Sequence, residues 1–240
     1  MLKSGAVSDS SRPRPIVAID GPAGAGKSTV ARLLAEALGF VLVDTGALYR
    51  AVALSAKRAG VAFADGPGVA DVARAFVARK ALEFRRDPQR GVSVLLAGED
   101  ITDAIRTPEI GLGASTVSAH PPVREALLDM QRQAGRGGGV VLEGRDIGTV
   151  VFPDAEVKFF LTARPEVRAQ RRFAELLAKG ANVTLADTVE DIRRRDEQDT
   201  TRAVAPLMPA KDAVLVDDSD MSIDETVAAM AARVRNRETW

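Results

Sequence analysis

The segment GPAGAGKST at residues 21–29 constrains this 240-residue chain more than any other feature. It matches the pattern G-x-x-x-x-G-K-[ST] at every fixed position. A short apolar, β-branched run, Ile16 to Ile19, precedes it, as in a buried parallel strand. After it, Val30, Leu33, Leu34, Ala37 and Leu38 fall at helical spacing and Gly39 supplies a stop. Glycines in such a strand–loop–helix let backbone N–H groups turn inward around an anion, and the helix N-terminus adds its positive end. The residues around the phosphates would be Gly21, Pro22, Ala23, Gly24, Ala25, Gly26, Lys27, Ser28 and Thr29. Lys27 would reach the β- and γ-phosphates, and the Ser28 hydroxyl would sit on Mg2+. The bland alternative is a glycine turn with a solvated Lys27, which leaves the complete pattern and its setting unexplained.

Phe40 to Val43 forms a second apolar run, so the chain opens strand–loop–helix–strand, the start of a parallel βαβ unit. Residues 60–113 break that rhythm with glycines and prolines, and VSVLLAGEDIT reads as strand and turn. An inserted α+β module is expected there. Helix resumes around Val123–Arg132, Val140–Leu142 reads as another buried strand, and Val157–Leu161 and Ala213–Val216 read as a fourth and a fifth strand. Pro165 opens a helix at a position where a missing N–H costs nothing. Thr188 with Asp191 has capping-box spacing before an Arg-rich helix, and Ser222 with Glu225 has it before the last one. The fold expected is α/β, with a five-stranded parallel sheet between helical layers in one domain over 16–240. Residues 1–15, rich in Ser, Arg and Pro, read as a disordered tail.

Composition removes several classes of function. Lys+Arg and Asp+Glu are both 33, which argues against a protein that coats nucleic acid. Cysteine is absent, which excludes disulfide scaffolds, cysteine nucleophiles and cysteine-ligated metals. The one histidine, His120, excludes a multi-histidine metal site and reads as structural. No apolar run approaches the ~18 residues of a membrane span, and the first fifteen residues lack the apolar centre of a secretory signal. A soluble, cytoplasmic, monomeric protein acting on small molecules, without nucleic-acid or membrane partners, is expected.

The cations are 26 Arg and only seven Lys, from codon bias or from planar recognition of phosphates. Arg50 and Arg145 follow the second and third strands, and open parallel sheets bind ligands beyond their carboxyl ends. Arg168, Arg171 and Arg172 are spaced to share one helix face, and Arg195, Asp199 and Arg202 to share another. Either set also suits a solvated face of Arg–Asp pairs. A regulatory GTPase is excluded, because no N/T-K-x-D guanine reader exists and the sole D-x-x-G, Asp65 to Gly68, lies in the Gly/Pro-rich stretch. More cation than one nucleotide requires points to two phosphorylated ligands. Phosphoryl transfer to a phosphate acceptor fits, since that oxygen is already ionised near pH 7 and needs no general base. The protein must align two polyanions, neutralise charge and exclude water, the last with a mobile lid.

The segments IDGPAGAGKST, DTGALYR, IRTPEI, VREALL, EGRDIGTVVFPDA and RAVAPL, in this order, resemble those of the bacterial cytidylate kinases from Ile16 onward. That resemblance implies a P-loop kinase with a nucleoside-monophosphate-binding insert at about 60–113 and a helical lid at about 165–200. It implies transfer of the γ-phosphoryl of ATP to CMP or dCMP with Mg2+, as part of pyrimidine metabolism. Thr45, Arg50 and Arg145 would hold the acceptor phosphate, and Ser115, Arg124 and Asp146 would read the cytosine edge. Arg195, Asp199 and Arg202 would hold ribose and phosphate, with a plain Arg195–Asp199 ion pair as the alternative. Lys27, Arg145, Arg168 and Arg172 would serve the chemistry. Glu143 stands where many members of the family have aspartate. The nearest enzymatic rivals are kinases of UMP or dTMP, and the rival of another class is a non-catalytic ATP sensor.

Overall fold

β1 (Ile16–Asp20) lies at the centre of a five-stranded parallel sheet. It is flanked by β6 (Val140–Gly144) and β7 (Val157–Thr162), with β2 (Val41–Asp44) outside β6 and β8 (Val214–Asp217) outside β7. This is the sheet expected from the five apolar runs. The computed structural model describes residues 12–79, 82–87 and 91–236. Every residue of β1 is buried, because both faces of the sheet are covered. Alternation sends Val17 and Ile19 to one face, where Leu34, Phe159, Met230 and Val234 join them. The helices there are α1 (Lys27–Leu38) and α8 (Ile223–Arg235). Ile16 and Ala18 point to the other face, against Leu142, Ile147, Val151 and Phe152.

Between β2 and β6 the chain builds α2 (Thr45–Arg58), α3 (Gly66–Ala78), α4 (Pro108–Ser118) and α5 (Pro121–Gly135). An antiparallel sheet of β3 (Leu82–Asp87), β4 (Gly91–Leu96) and β5 (Glu99–Asp100) accompanies them. Their apolar cluster runs from Ala47 to Leu127 and includes Val52, Val69, Phe76, Ile105 and Val117. The packed unit is therefore wider than the 60–113 segment that the glycine and proline pattern marked out. Residues 80–81 and 88–90 of that segment lie outside the described residues. His120 joins this unit internally, its Nε2 lying 2.8 Å from the Phe63 carbonyl oxygen.

After β7 come α6 (Pro165–Ala178) and α7 (Leu185–Thr201), which pack on each other. The capping box of α7 is Thr184 with Asp187, not Thr188 with Asp191. The same Thr-x-x-Asp spacing occurs at two registers four residues apart. Burial decides between them: Thr188 is one turn inside the helix, 2% exposed, and donates its hydroxyl back to the Thr184 carbonyl. Ser222 and Glu225 do form the box at α8.

The expected tail through residue 15 meets a docked segment at 12–15. Arg12 pairs with Asp154 and Glu156, and the Arg14 guanidinium sits 4.4 Å over the Phe40 ring while donating to the Leu38 and Gly39 carbonyls. Residues 1–11 lie outside the described residues. No helix among the described residues is long and apolar enough to cross a membrane.

Candidate active site

The carboxyl ends of β1, β2, β6 and β7 share one edge of the sheet, bringing the segments that follow them side by side. Gly21 leaves β1 so close to β7 that a Cβ there would lie 1.9 Å from the Leu161 carbonyl oxygen. Gly24 turns the loop at φ +73°, against the backbone of Arg168 on α6. The loop delivers Lys27 and Ser28 to the first turn of α1. Lys27 is buried, and its Nζ donates to the Pro22 carbonyl at 2.6 Å. Burial and then the nearby Arg145 push its pKa well below the ordinary lysine value, against the pull of Glu143. The Ser28 hydroxyl donates to Glu143 Oε2 at 3.0 Å, while Glu143 Oε1 is buried without a hydrogen-bond partner. Burial, and then the negative Asp44, push the Glu143 carboxyl up to about 7.

Beside this loop opens a cleft. Thr45, Arg50, Ser115, Arg124, Arg145, Asp146, Arg195, Asp199 and Arg202 all line it. They come from α2, α4, α5, the β6 terminus and the end of α7, so the fold gathers residues that are up to 157 positions apart. At one end, the Thr45 hydroxyl donates to the Glu143 carbonyl at 2.7 Å and Arg50 Nη1 stands 3.9 Å from Asp44. Arg145 Nε donates to Asp199 at 2.7 Å. Arg195, also on α7, has a buried Nε with no hydrogen-bond partner. Burial, followed by repulsion from Arg145 and Arg50, lowers its pKa to about 9. Burial alone would raise Asp199, but Arg145 above all outweighs it and holds that carboxyl below its usual value.

At the other end, the buried Arg124 donates to Asp146, and Arg202 stands 3.5 Å from the second oxygen of the same carboxylate. Arg124 also lies 5.5 Å from the centre of the Tyr49 ring. Ser115 and Ser118 border this end, both buried. The cleft thus joins a strongly cationic mouth to a pocket with acceptor, donor and hydroxyl groups at fixed positions.

The three arginines expected on a lid divide. Arg168 does not line the cleft: it is buried and donates to the carbonyls of Ala163 and Ala23 and to Asp196. Asp196 also accepts the Ala23 N–H at 3.2 Å, so α6 and α7 together grip the phosphate loop. Arg171 pairs with Asp218, and Arg172 with Glu175. Arg172 is near enough to Arg195 to add to its repulsion. Sequence reasoning missed Asp196, whose partners lie 28 and 173 residues away, beyond any local pattern. It also passed over Tyr49, although DTGALYR contains it.

Residues 17–236 match the family model described as cytidylate kinase. A cytidylate kinase from Geobacter sp. (strain M21) is 54% identical over 222 residues, covering 92% of this chain and 93% of its own. One from Pelotomaculum thermopropionicum is 53% identical over 220 residues, covering 92% and 96%. Among solved structures, an uncharacterized protein from Eubacterium ventriosum superposes with a TM-score of 0.50 at 12% identity, over 93% of this chain and 99% of that one. At that identity the likeness concerns the fold alone.

Proposed function

Because the chain belongs to the cytidylate kinase family, we propose that it transfers the γ-phosphoryl of ATP to CMP or dCMP, giving ADP and CDP or dCDP. The observation that carries this reading is the cleft beside the phosphate loop, cationic at its mouth and built of Ser115, Arg124 and Asp146 at its end.

Backbone N–H groups of the loop and Lys27 hold the ATP phosphates. Among the described residues no three or more His, Asp or Glu side chains form a metal cage. That suits Mg2+, which binds through nucleotide phosphates, water and one or two protein oxygens. Ser28, with the partnerless Glu143 Oε1 beside it, would hold it. Bound there, the ion would neutralise charge on the β- and γ-phosphates.

Thr45, Arg50 and Arg145 hold the acceptor phosphate with one oxygen facing the γ-phosphorus. That oxygen is ionised near neutral pH, so alignment and charge neutralisation are the protein's main tasks. Arg195 supplies a guanidinium whose Nε is buried without a hydrogen-bond partner, and Arg172 is near enough to add to the positive field there. Arg202 and Asp199 serve the ribose side. Asp146 accepts from the exocyclic amine of cytosine. Uracil presents a carbonyl at that position and is repelled, leaving buried groups unpaired.

An ADP-release assay with Mg·ATP against CMP, dCMP, UMP, AMP and dTMP tests the reading. Turnover concentrated on CMP and dCMP is expected. Turnover chiefly with UMP or dTMP would keep a kinase and remove this account of the base pocket. Silence with every acceptor despite ATP binding would favour an ATP sensor.

A further inference from the structure

Asp20 is the last residue of β1, one position before the phosphate loop, and is 3% exposed. A buried carboxylate needs partners, and Asp20 has two of one kind. Its Oδ1 accepts the Ile147 N–H and its Oδ2 the Gly148 N–H, each at 2.8 Å. These amides open the one-turn π-type helix Ile147–Val151 that follows Asp146 directly. The Asp146 carbonyl is held in turn by the Val150 and Val151 N–H groups, at 2.9 and 3.1 Å. The backbone after Asp146 is thus fixed from both sides, while its side chain faces Arg124 and Arg202. Gly148 leaves room for this arrangement, since a Cβ there would lie 3.1 Å from Lys158 Cδ and 3.4 Å from Asp20 Oδ2.

We propose that Asp20 is a positioning residue for nucleobase recognition, which anchors the turn that aims Asp146 into the base pocket. The inference rests on the CMP kinase reading above. The site it serves belongs to a different ligand from the one its neighbours hold in sequence. Gly21 to Thr29 serve ATP, yet both carboxylate oxygens of Asp20 accept hydrogen bonds from the segment that reads the acceptor, and Lys27 of the loop acts on it only through its charge. A carboxylate is the side chain that can accept two N–H groups at once in this geometry. Asparagine has one accepting oxygen, and its NH2 would face an N–H donor, releasing one end of the turn.

The test is steady-state kinetics of the Asp20→Asn variant, with folding checked by circular dichroism. The expected result is a rise of about tenfold in KM for CMP, the scale of one buried hydrogen bond, and a smaller CMP-over-UMP preference. The KM for ATP should stay within about twofold, although Asp20 adjoins the ATP loop. In an Asp146→Asn background, adding Asp20→Asn should change the base preference no further, because the residue it acts through is already disabled. A loss in KM for ATP equal to or above that for CMP, or a full extra loss of preference in the double variant, would overturn the proposal. So would a folded variant with unchanged CMP kinetics. If Asp20→Asn does not fold, amide hydrogen exchange in the unmodified protein decides. Ile147 and Gly148 should exchange as slowly as β6, and exchange at the rate of exposed loops would refute the anchor. Absence of CMP turnover in the unmodified protein is the separate result that sinks the kinase reading, and this inference with it.

Discussion

Arg195 shows how a single residue can be held at a cost to the fold. Its guanidinium is buried near Arg145 and Arg50, and its pKa falls to about 9. A base with a lowered folded-state pKa destabilises the protein at every pH below that value, and the penalty fades as pH rises from about 9 towards the ordinary arginine value. Arg195→Met should therefore raise the thermal midpoint of the nucleotide-free protein at pH 7 by scanning calorimetry. The same change should lower kcat/KM for CMP by about 10²–10³, the scale of losing a positioned charge at a transferring phosphoryl group. Asp146 shows the reverse economy, because Arg124 and Arg202 both depend on its charge. Asp146→Asn should reduce the CMP-over-UMP preference by about 10–100-fold, as expected for one buried polar group left mismatched, with KM for ATP nearly unchanged. Competition assays with the two acceptors give that ratio directly.

Elements fail or succeed in sequence reading according to how local their cause is. β1, β6 and β7 were legible because a strand buried on both faces writes itself as a short unbroken apolar run, as in Val140–Leu142. The edge strands β2 and β8 carry the same apolar run although Val41 and Leu215 are exposed. The start of α7 slipped by one turn because two Thr-x-x-Asp frames are locally equivalent and tertiary burial of Thr188 chooses between them. Capping predicts that Thr184→Ala costs about 1 kcal/mol in denaturant unfolding. Arg195 and Asp199 lie about three and four turns further on, so kcat/KM should move less than about twofold. The cleft residues were found through the order of six motifs, whereas spacing alone could equally have described solvated helix faces. Spacing placed Arg168 on a helix face with Arg171 and Arg172 but gave no hint of its bonds to the phosphate loop and α7. Its partners Ala23 and Asp196 belong to other elements, and no periodicity within α6 points to them.

For the molecule as a whole, a formal net charge of zero conceals a strongly uneven distribution. Arg50, Arg145, Arg195 and Lys27 converge at one sheet edge, and a low-dielectric cleft focuses their field on an incoming anion. Raising ionic strength from about 0.05 M to about 0.3 M should accordingly raise KM for CMP several-fold, with kcat little changed. A flat salt response would mean that the buried arginines are already neutralised by their internal partners. The central position of β1 has a further consequence, in time. Ile16 pairs with Val140 and Val17 with Val157, so β1 waits for partners synthesised well over a hundred residues later. At about 5–20 residues per second, that wait on a ribosome lasts roughly 6–25 s. The cluster from Ala47 to Leu127, complete in itself, can collapse during this interval. The phosphate loop, made before that cluster, would then take shape after it.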